Sequence, residues 1–255
     1  MSVEPTLAGR TALITGVSGG IGSALAQVFG REGAYVLGTY RSRESEARAV
    51  LESAAPGRHE LLRAEVTSAD SARTLWTEAR SRRPIDVVVA NAAVMARTPL
   101  TGDPDGWDEG WERSLAVNVT ATATLLREAA IDLAAGGGGS LIVISSWAAE
   151  QGSRIPEAAA YGASKAAIRN FAQTLARSTA RSGVRVYTIA PGVVDTGMGT
   201  DGLSDEQLQA VADGLAMGRR VAASEIAEVA AFLATDRAPS LSGATLDLNG
   251  ASYIR

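Results

Sequence analysis

Two side chains with acid–base chemistry stand four residues apart in "AAAYGASKAAI", residues 158–168: Tyr161 and Lys165. If the segment is helical, positions i and i+4 share a face. Lys165 is the single lysine among 24 basic residues, the other 23 being arginine. An ammonium is a compact charge on a flexible stem, whereas a guanidinium is a broad planar fork. A site that needs a point charge beside a phenol accepts the first and resists the second. An unperturbed phenol has a pKa of about 10. Bringing it down by about 2–3 units takes roughly 3–4 kcal/mol. A cation about 4 Å away at an effective dielectric of about 20 offers up to about 4 kcal/mol. The expectation is therefore a phenol acidified by Lys165 and able to hand over a proton near neutral pH.

Other proton-transfer chemistry is scarce. The one histidine, His59, lies in the polar "PGRHEL" and reads as a solvated loop residue ahead of a strand. That leaves no material for a histidine triad or the usual zinc sites. The chain has no cysteine, which excludes disulfides and thiolate metal sites and fits a reducing compartment. No metal site is expected.

These side chains need a scaffold, and 255 residues with 46% hydrophobic content suffice for one large domain, 1–255. Short apolar runs recur at 11–15, 34–40, 60–65, 85–90, 140–145, 184–189 and 243–248. Most are too apolar to leave a face in water, as for strands covered on both sides. Between them lie helical stripes: Ile21, Leu25, Val28 and Phe29; Leu115, Val119, Thr122 and Leu126; Ile168, Phe171 and Leu175; Ile226, Val229, Ala230 and Leu233. Strand alternating with helix predicts a single-domain α/β Rossmann fold, a doubly wound, seven-stranded parallel sheet with helices on both faces. The "GGGG" at 136–139 reads as a turn between helix and strand. A formal charge of −4 with scattered arginines argues against nucleic acid. The N-terminus lacks the regions of a signal peptide, and no apolar run approaches a membrane span, so the expectation is a soluble cytoplasmic protein with no membrane partner.

In such a fold, ligands bind at the carboxyl ends of the strands. After the first strand comes "TGVSGGIG", where Gly16, Gly20 and Gly22 open a helix and allow a diphosphate to approach the backbone. The spacing is Gly-x-x-x-Gly-x-Gly, not the more widespread Gly-x-Gly-x-x-Gly. The second strand ends in "GTYRSRES". Where an NAD site commonly has a carboxylate, Tyr40, Arg41, Ser42 and Arg43 stand here, and the first acid is Glu44. Arg41 can fork onto a 2'-phosphate, so NADP(H) is preferred, with NAD(H) a possible cofactor. The fourth strand ends in the small residues of "ANAAV". Asn118 in "LAVNVTA" sits within a helical stripe, where Asn is mildly unfavourable; it is either a local cap or functional. Ser145 and Ser146 close the fifth strand, either to satisfy backbone groups or to meet a substrate.

Taken together, "TGVSGGIG", "NAA", "AVN", "ISS" and "YGASK" resemble the short-chain dehydrogenase/reductase family in order and spacing, from about residue 7 to 251. The branch it looks most like is the 3-oxoacyl-[acyl-carrier-protein]-reductase-like group. The resemblance implies a catalytic set of Asn118, Ser146, Tyr161 and Lys165, with the oxidised nicotinamide adding its charge to that of Lys165 beside the phenol, Ser146 holding the carbonyl oxygen and Asn118 supporting a water that replenishes the proton. It places Gly16, Ser18, Gly20, Ile21, Arg41, Ser42, Glu65, Val66, Asn91, Ala92, Ala93, Tyr161, Lys165, Pro191, Gly192, Val194 and Thr196 around the cofactor. It also implies a homotetramer, or a dimer, built on the helices carrying Asn118 and Lys165. Three positions depart from the family pattern. Ala93 replaces the usual Gly, Glu65-Val66 stands where Asp-Val is common, and Gly19 replaces an arginine of many NADP members.

The segment 193–220 falls at the family's substrate lid, and its Leu203, Leu208, Val211, Leu215 and Met217 suit a small, largely apolar carbonyl compound. Trp147 and Met95 are candidate pocket walls. The loop 150–160 carries Glu150, Gln151, Arg154 and Glu157 and is about two residues longer than in the nearest branch. The function expected is reduction of a ketone to an alcohol. The alternatives are an NAD(P)-dependent alcohol dehydrogenase acting oxidatively on a sugar, steroid or polyol, and a non-catalytic nucleotide-sensing protein on the same fold.

Overall fold

Alternation of side chains along each strand sends neighbours to opposite faces, and in this chain both faces are apolar. Val87, Val88 and Val89 are all fully buried, with Val87 and Val89 in one core cluster and Val88 in the other. Such strands must lie inside a layer of helix on each side. The computed structural model describes residues 6–198 and 202–254 and shows this arrangement.

The strands are β1 (Thr11–Ile14), β2 (Tyr35–Tyr40), β3 (His59–Arg63), β4 (Val87–Ala90), β5 (Gly139–Ile144), β6 (Val184–Pro191) and β7 (Thr245–Leu248). They form one parallel sheet in the order β3-β2-β1-β4-β5-β6-β7. The order reverses between β1 and β4, where Ile14 lies beside Val89. A crevice at the carboxyl ends follows from that reversal.

The helices are α1 (Gly20–Arg31), α2 (Glu44–Ala54), α3 (Ala69–Arg82), α4 (Pro104–Leu115), α5 (Thr122–Ala135), α6 (Ala148–Gln151), α7 (Ala159–Thr179), α8 (Asp205–Asp213) and α9 (Ala223–Leu233). Helices α1 and α9 pack together and cover one face through Leu25, Phe29, Ile226 and Ala230. Helices α3, α5 and α7 cover the other through Leu75, Leu125, Leu126 and Ile168. Gly136–Gly138 turn between α5 and β5, as expected, while Gly139 already belongs to the strand.

Two readings are corrected. The stripe Leu115–Val119–Thr122–Leu126 does not lie on one helix. A wide π turn spans Ala116–Ala121, and the buried residues here are Val117, Asn118, Ala121, Leu125 and, from the expected stripe, Leu126, with Leu115 left 39% exposed. The π turn inserts an extra residue into the helical repeat and shifts the phase. His59 is not a loop residue: it opens β3, is half-buried, and its Nδ1 lies 2.9 Å from the Ala55 carbonyl, the bond that ties β3 to the end of α2.

The 193–220 segment is held at both ends. Val194 bridges to Val221, Asp195 pairs with Arg220 at 2.8 Å, and the Ala216 N–H donates to Ser252 at 3.1 Å. Between them α8 is mostly exposed; residues 199–201 of the expected lid lie outside the described residues.

Candidate active site

The glycine turn is built by contacts that leave no room for side chains. Gly16 has φ +77° and Gly20 φ +57°, backbone that glycine adopts without strain. A Cβ on Gly22 would lie 1.9 Å from the Gly16 carbonyl oxygen, so only glycine lets α1 sit down on the end of β1. The Asn91 amide donates to the Thr15 carbonyl at 2.9 Å and lies 3.4 Å from that of Gly16, while the Asn91 and Ala92 N–H groups donate to the Thr15 hydroxyl. Asn91 thus acts as a brace between β4 and the turn. Thr196 comes to Gly20 from beyond β6: a Cβ there would lie 3.6 Å from its side chain. Val66 packs into the core beneath, against a cavity too small for a ligand that it shares with Thr15, Ala90 and Ala92. Pro191 is buried at the end of β6, and Gly192 packs against Asn249.

Helix α1 opens at this turn with no side-chain cap, so its first N–H groups are not satisfied by a side chain. A narrow glycine cradle, an uncapped helix start and two arginines at the rim fit an anionic dinucleotide. Arg41 and Ser42 are exposed at the end of β2. Glu44, the nearest acid, is tied to the Tyr40 hydroxyl at 2.6 Å and to Arg48 at 2.7 Å. Among the described residues no acid pairs with Arg41. Ser18, Ile21, Ala93 and Val94 are half-buried and Glu65 is exposed, off the turn itself.

The sequence places Arg43 in this turn but gives it no role. Its guanidinium lies across the loop, with Nη2 3.4 Å from where a Cβ of Gly19 would stand. The arginine that many relatives carry at position 19 is thus replaced in space by one arriving from the next strand. The signal was present in "RSR", but which of the two arginines turns back is a choice of rotamer.

The reactive cluster lies one strand over. Ser145 and Ser146 part ways: the Ser145 hydroxyl donates to the Lys165 carbonyl at 3.0 Å, within the structure, whereas the Ser146 oxygen accepts from the Ala148 N–H at 3.2 Å and acts on the Tyr161 phenol. Lys165 is only 4% exposed; its Nζ donates to the Ile144 carbonyl at 2.8 Å and lies 5.7 Å from the centre of the Tyr161 ring. The helical register that puts both residues on one face of α7 is the one expected. Asn118 is also buried, but its amide is spent: Oδ1 accepts from the Val94 N–H at 2.9 Å, and Nδ2 donates to the Val94 carbonyl at 2.8 Å and to Ser164 at 3.0 Å. It clamps the strand end to α7.

In the chain by itself, burial sets the direction of the Tyr161 shift. Burial pushes the Tyr161 phenol above its usual value, the Ser146 hydrogen bond opposes this in part, and the net direction is upward. Lys165 does not win. Burial moves its own pKa down to about 8, with no carboxylate beside it to hold the proton. The amine is still mostly charged at neutral pH, at a cost.

That cost is measurable. The folded amine releases its proton at about 8 and the unfolded one at about 10.5, so the unfolded chain holds more proton between those values. Stability contributed by this group therefore rises with pH across that window, and the penalty is fully present below it. Lys165→Met should raise unfolding free energy at pH 7 by about 1–2 kcal/mol, the relieved burial of roughly 3 less about 1 for the lost bond to Ile144. The gain should shrink toward pH 10. Urea titrations at both pH values check this; a Met variant less stable than wild type at pH 7 would count against it.

Within this frame the comparisons agree. Residues 16–250 match a family model described as Enoyl-(Acyl carrier protein) reductase. The 3-oxoacyl-[acyl-carrier-protein] reductase FabG of Escherichia coli (strain K12) is 33% identical, over 96% of this chain and 98% of its own. The 3beta-hydroxysteroid dehydrogenase 1 of Eggerthella lenta is also 33% identical, over 96% and 94%. A solved 3-oxoacyl (acyl-carrier-protein) reductase from Agrobacterium tumefaciens C58, with NADP bound, superposes with a TM-score of 0.86 at 30% identity, covering 96% of this chain and 94% of its own. The chain belongs to the short-chain dehydrogenase/reductase family of oxidoreductases. Among the described residues no group of metal-ligating side chains occurs, and no helix is long and apolar enough to cross a membrane.

Proposed function

We propose that the protein reduces the carbonyl of a small, largely apolar compound to an alcohol with NADP(H). The observation that carries this reading is the grouping of half-buried Tyr161 with Ser146 and with the buried Lys165 ammonium, whose Nζ lies 5.7 Å from the centre of the tyrosine ring. A lone buried cation lowers stability, and a fold keeps such a group where chemistry uses it. This weighs against a silent nucleotide sensor.

The residues that would hold the cofactor are the glycine turn, Thr196 and the two rim arginines. Bound there, a reduced nicotinamide supplies hydride to the carbonyl carbon. The remaining work falls to the chain. Ser146 holds the carbonyl oxygen by a hydrogen bond. As that oxygen gains negative charge it becomes far more basic than a phenolate, so a neutral Tyr161 gives up its O–H proton even with a raised pKa. The bond from Tyr161 Oη to hydrogen breaks, the alcohol O–H forms, and the phenolate left behind faces the Lys165 ammonium. Tyr161 then regains a proton from solvent. Asn118 positions the Val94 backbone and α7 around this exchange.

The raised pKa also bears on direction. Reduction needs the phenol protonated, and burial keeps it so at neutral pH. Oxidation of a sugar, steroid or polyol would need the phenolate, which burial disfavours. Incubation with NADPH and a panel of ketones, followed by nicotinamide absorbance, tests the assignment. Consumption with ketones supports it; reaction only with NADP and alcohols would replace it by the oxidative reading.

Arg41 and Arg43 carry the cofactor preference in this reading. Each bond from an arginine to a phosphate contributes about 1.5–3 kcal/mol, less where solvent screens it. Arg41→Ala and Arg43→Ala should each weaken NADP binding by about tenfold by calorimetry and leave NAD binding unchanged. A wild type that binds NAD the more tightly would refute the preference. A cytoplasmic homotetramer or dimer also belongs to this reading. Its support is the exposed Leu115 at the end of α4, beside the half-buried Trp107 and Trp111, whose rings lie 5.8 Å apart.

A further inference from the structure

The loop between Ser146 and Tyr161 carries three charged side chains, Glu150, Arg154 and Glu157, and two are accounted for by pairing. Glu150 is paired with Arg169 of α7, and Glu157 with Arg97 at 2.7 Å. Across the segment 193–220, Asp195 is paired with Arg220 and Arg219 with Glu225. Arg154 has no acid partner among the described residues. Its guanidinium lies instead 4.7 Å from the ring centre of Trp147, within the range of a cation–π contact.

The place of that stack matters. Trp147 directly follows Ser146, is 7% exposed, and packs with Tyr161, Val193, Leu215 and Tyr253. One indole ring therefore links the reactive tyrosine to the unpaired cation. Stacking on a ring uses the face of a guanidinium and leaves its in-plane N–H donors for a second partner. Those donors form a fork that matches a planar carboxylate. The apolar walls beside it suit a hydrocarbon stem. One uncompensated cation matches a monoanion; a phosphate dianion would call for a second, and Arg97 and Arg169 are already committed.

We propose that Arg154, stacked on Trp147, is the anion subsite of the substrate pocket, and that the substrate is an oxo acid whose carboxylate binds there while its ketone reaches Ser146 and Tyr161. This deepens the reductase reading and rests on it. Arg154 is a binding residue that selects the substrate and takes no part in proton transfer.

The test uses 4-oxopentanoate, 5-oxohexanoate and 6-oxoheptanoate with their methyl esters, a series that varies the distance from ketone to carboxylate. Binding to the full chain with NADP present is followed by tryptophan fluorescence and calorimetry, and turnover is followed separately with NADPH. In the wild type at least one acid should bind tenfold or more tightly than its ester. Arg154→Gln should bring that ratio to about one while leaving ester binding and the melting temperature unchanged, and Arg154→Lys should restore part of it. Equal binding of acid and ester by the wild type, or an unchanged ratio in Arg154→Gln, overturns the proposal. Acid-selective binding lost in Arg154→Gln supports the subsite even if no probe is reduced, in which case it is the reductase reading that fails.

Discussion

Tyr161→Phe should lower kcat for carbonyl reduction by about 10²–10⁴-fold, the range that a positioned proton donor contributes. The argument is atomic. Phenylalanine keeps the ring in its apolar setting against Trp147 and Leu215 and removes only the hydroxyl. Ser146 retains the Ala148 N–H as a donor to its oxygen, so no buried acceptor is newly orphaned. Folding stability should therefore move by less than about 1 kcal/mol. KM should change little, since the substrate oxygen still has Ser146. A loss confined to kcat, with an unchanged melt, identifies a proton donor; a loss of both would show that the hydroxyl is structural.

The second large effect is on the turn. Gly22→Ala adds a Cβ that would stand 1.9 Å from the Gly16 oxygen, 2.8 Å from its carbonyl carbon and 2.9 Å from the Asn91 amide. Two of these are backbone atoms and cannot swing aside, so α1 must lift from β1. Overpacking of this kind costs about 1–3 kcal/mol and at times more. Because the lifted turn is also the cofactor cradle, NADP affinity should fall at least tenfold. Gly57→Ala is the control: its φ is +68° with nothing within 4 Å, so it carries only the left-handed strain of roughly 1–2 kcal/mol. Urea unfolding and calorimetry on the two variants separate collision from strain. Equal losses for both would show that the packing at Gly22 is loose.

Much of this site could be read before any coordinates, for identifiable reasons. Tyr161 and Lys165 sit on one helix, and the four-residue spacing alone sets their shared face. The two-sided strands announced themselves because Val87–Val89 has no polar alternate. Ser146 was separable from Ser145 only by resemblance; the structure shows the physical difference, one hydroxyl turned to the α7 backbone and the other to the phenol. What was not legible depended on distance in space. Arg43 reaches Gly19 across 24 residues, and nothing in "RSR" says which side chain folds back. The π turn at Ala116–Ala121 shifts a stripe that period alone would have kept straight. The pKa of Tyr161 depends on how much water the fold removes, and a pairwise Coulomb estimate of the effect of Lys165 omits that term. The expected lowering sums Lys165 with an oxidised nicotinamide; in the chain by itself burial raises the phenol pKa.

That raised pKa is the centre of the account: Tyr161 holds its proton at neutral pH and surrenders it only to a nascent alkoxide. A spectrophotometric phenolate titration of wild type minus Tyr161→Phe measures this directly, without substrate. The account predicts no phenolate from Tyr161 until the pH is above about 10. Phenolate appearing between about pH 6 and 8 would mean that the ammonium of Lys165 outweighs burial, and it would contradict the account.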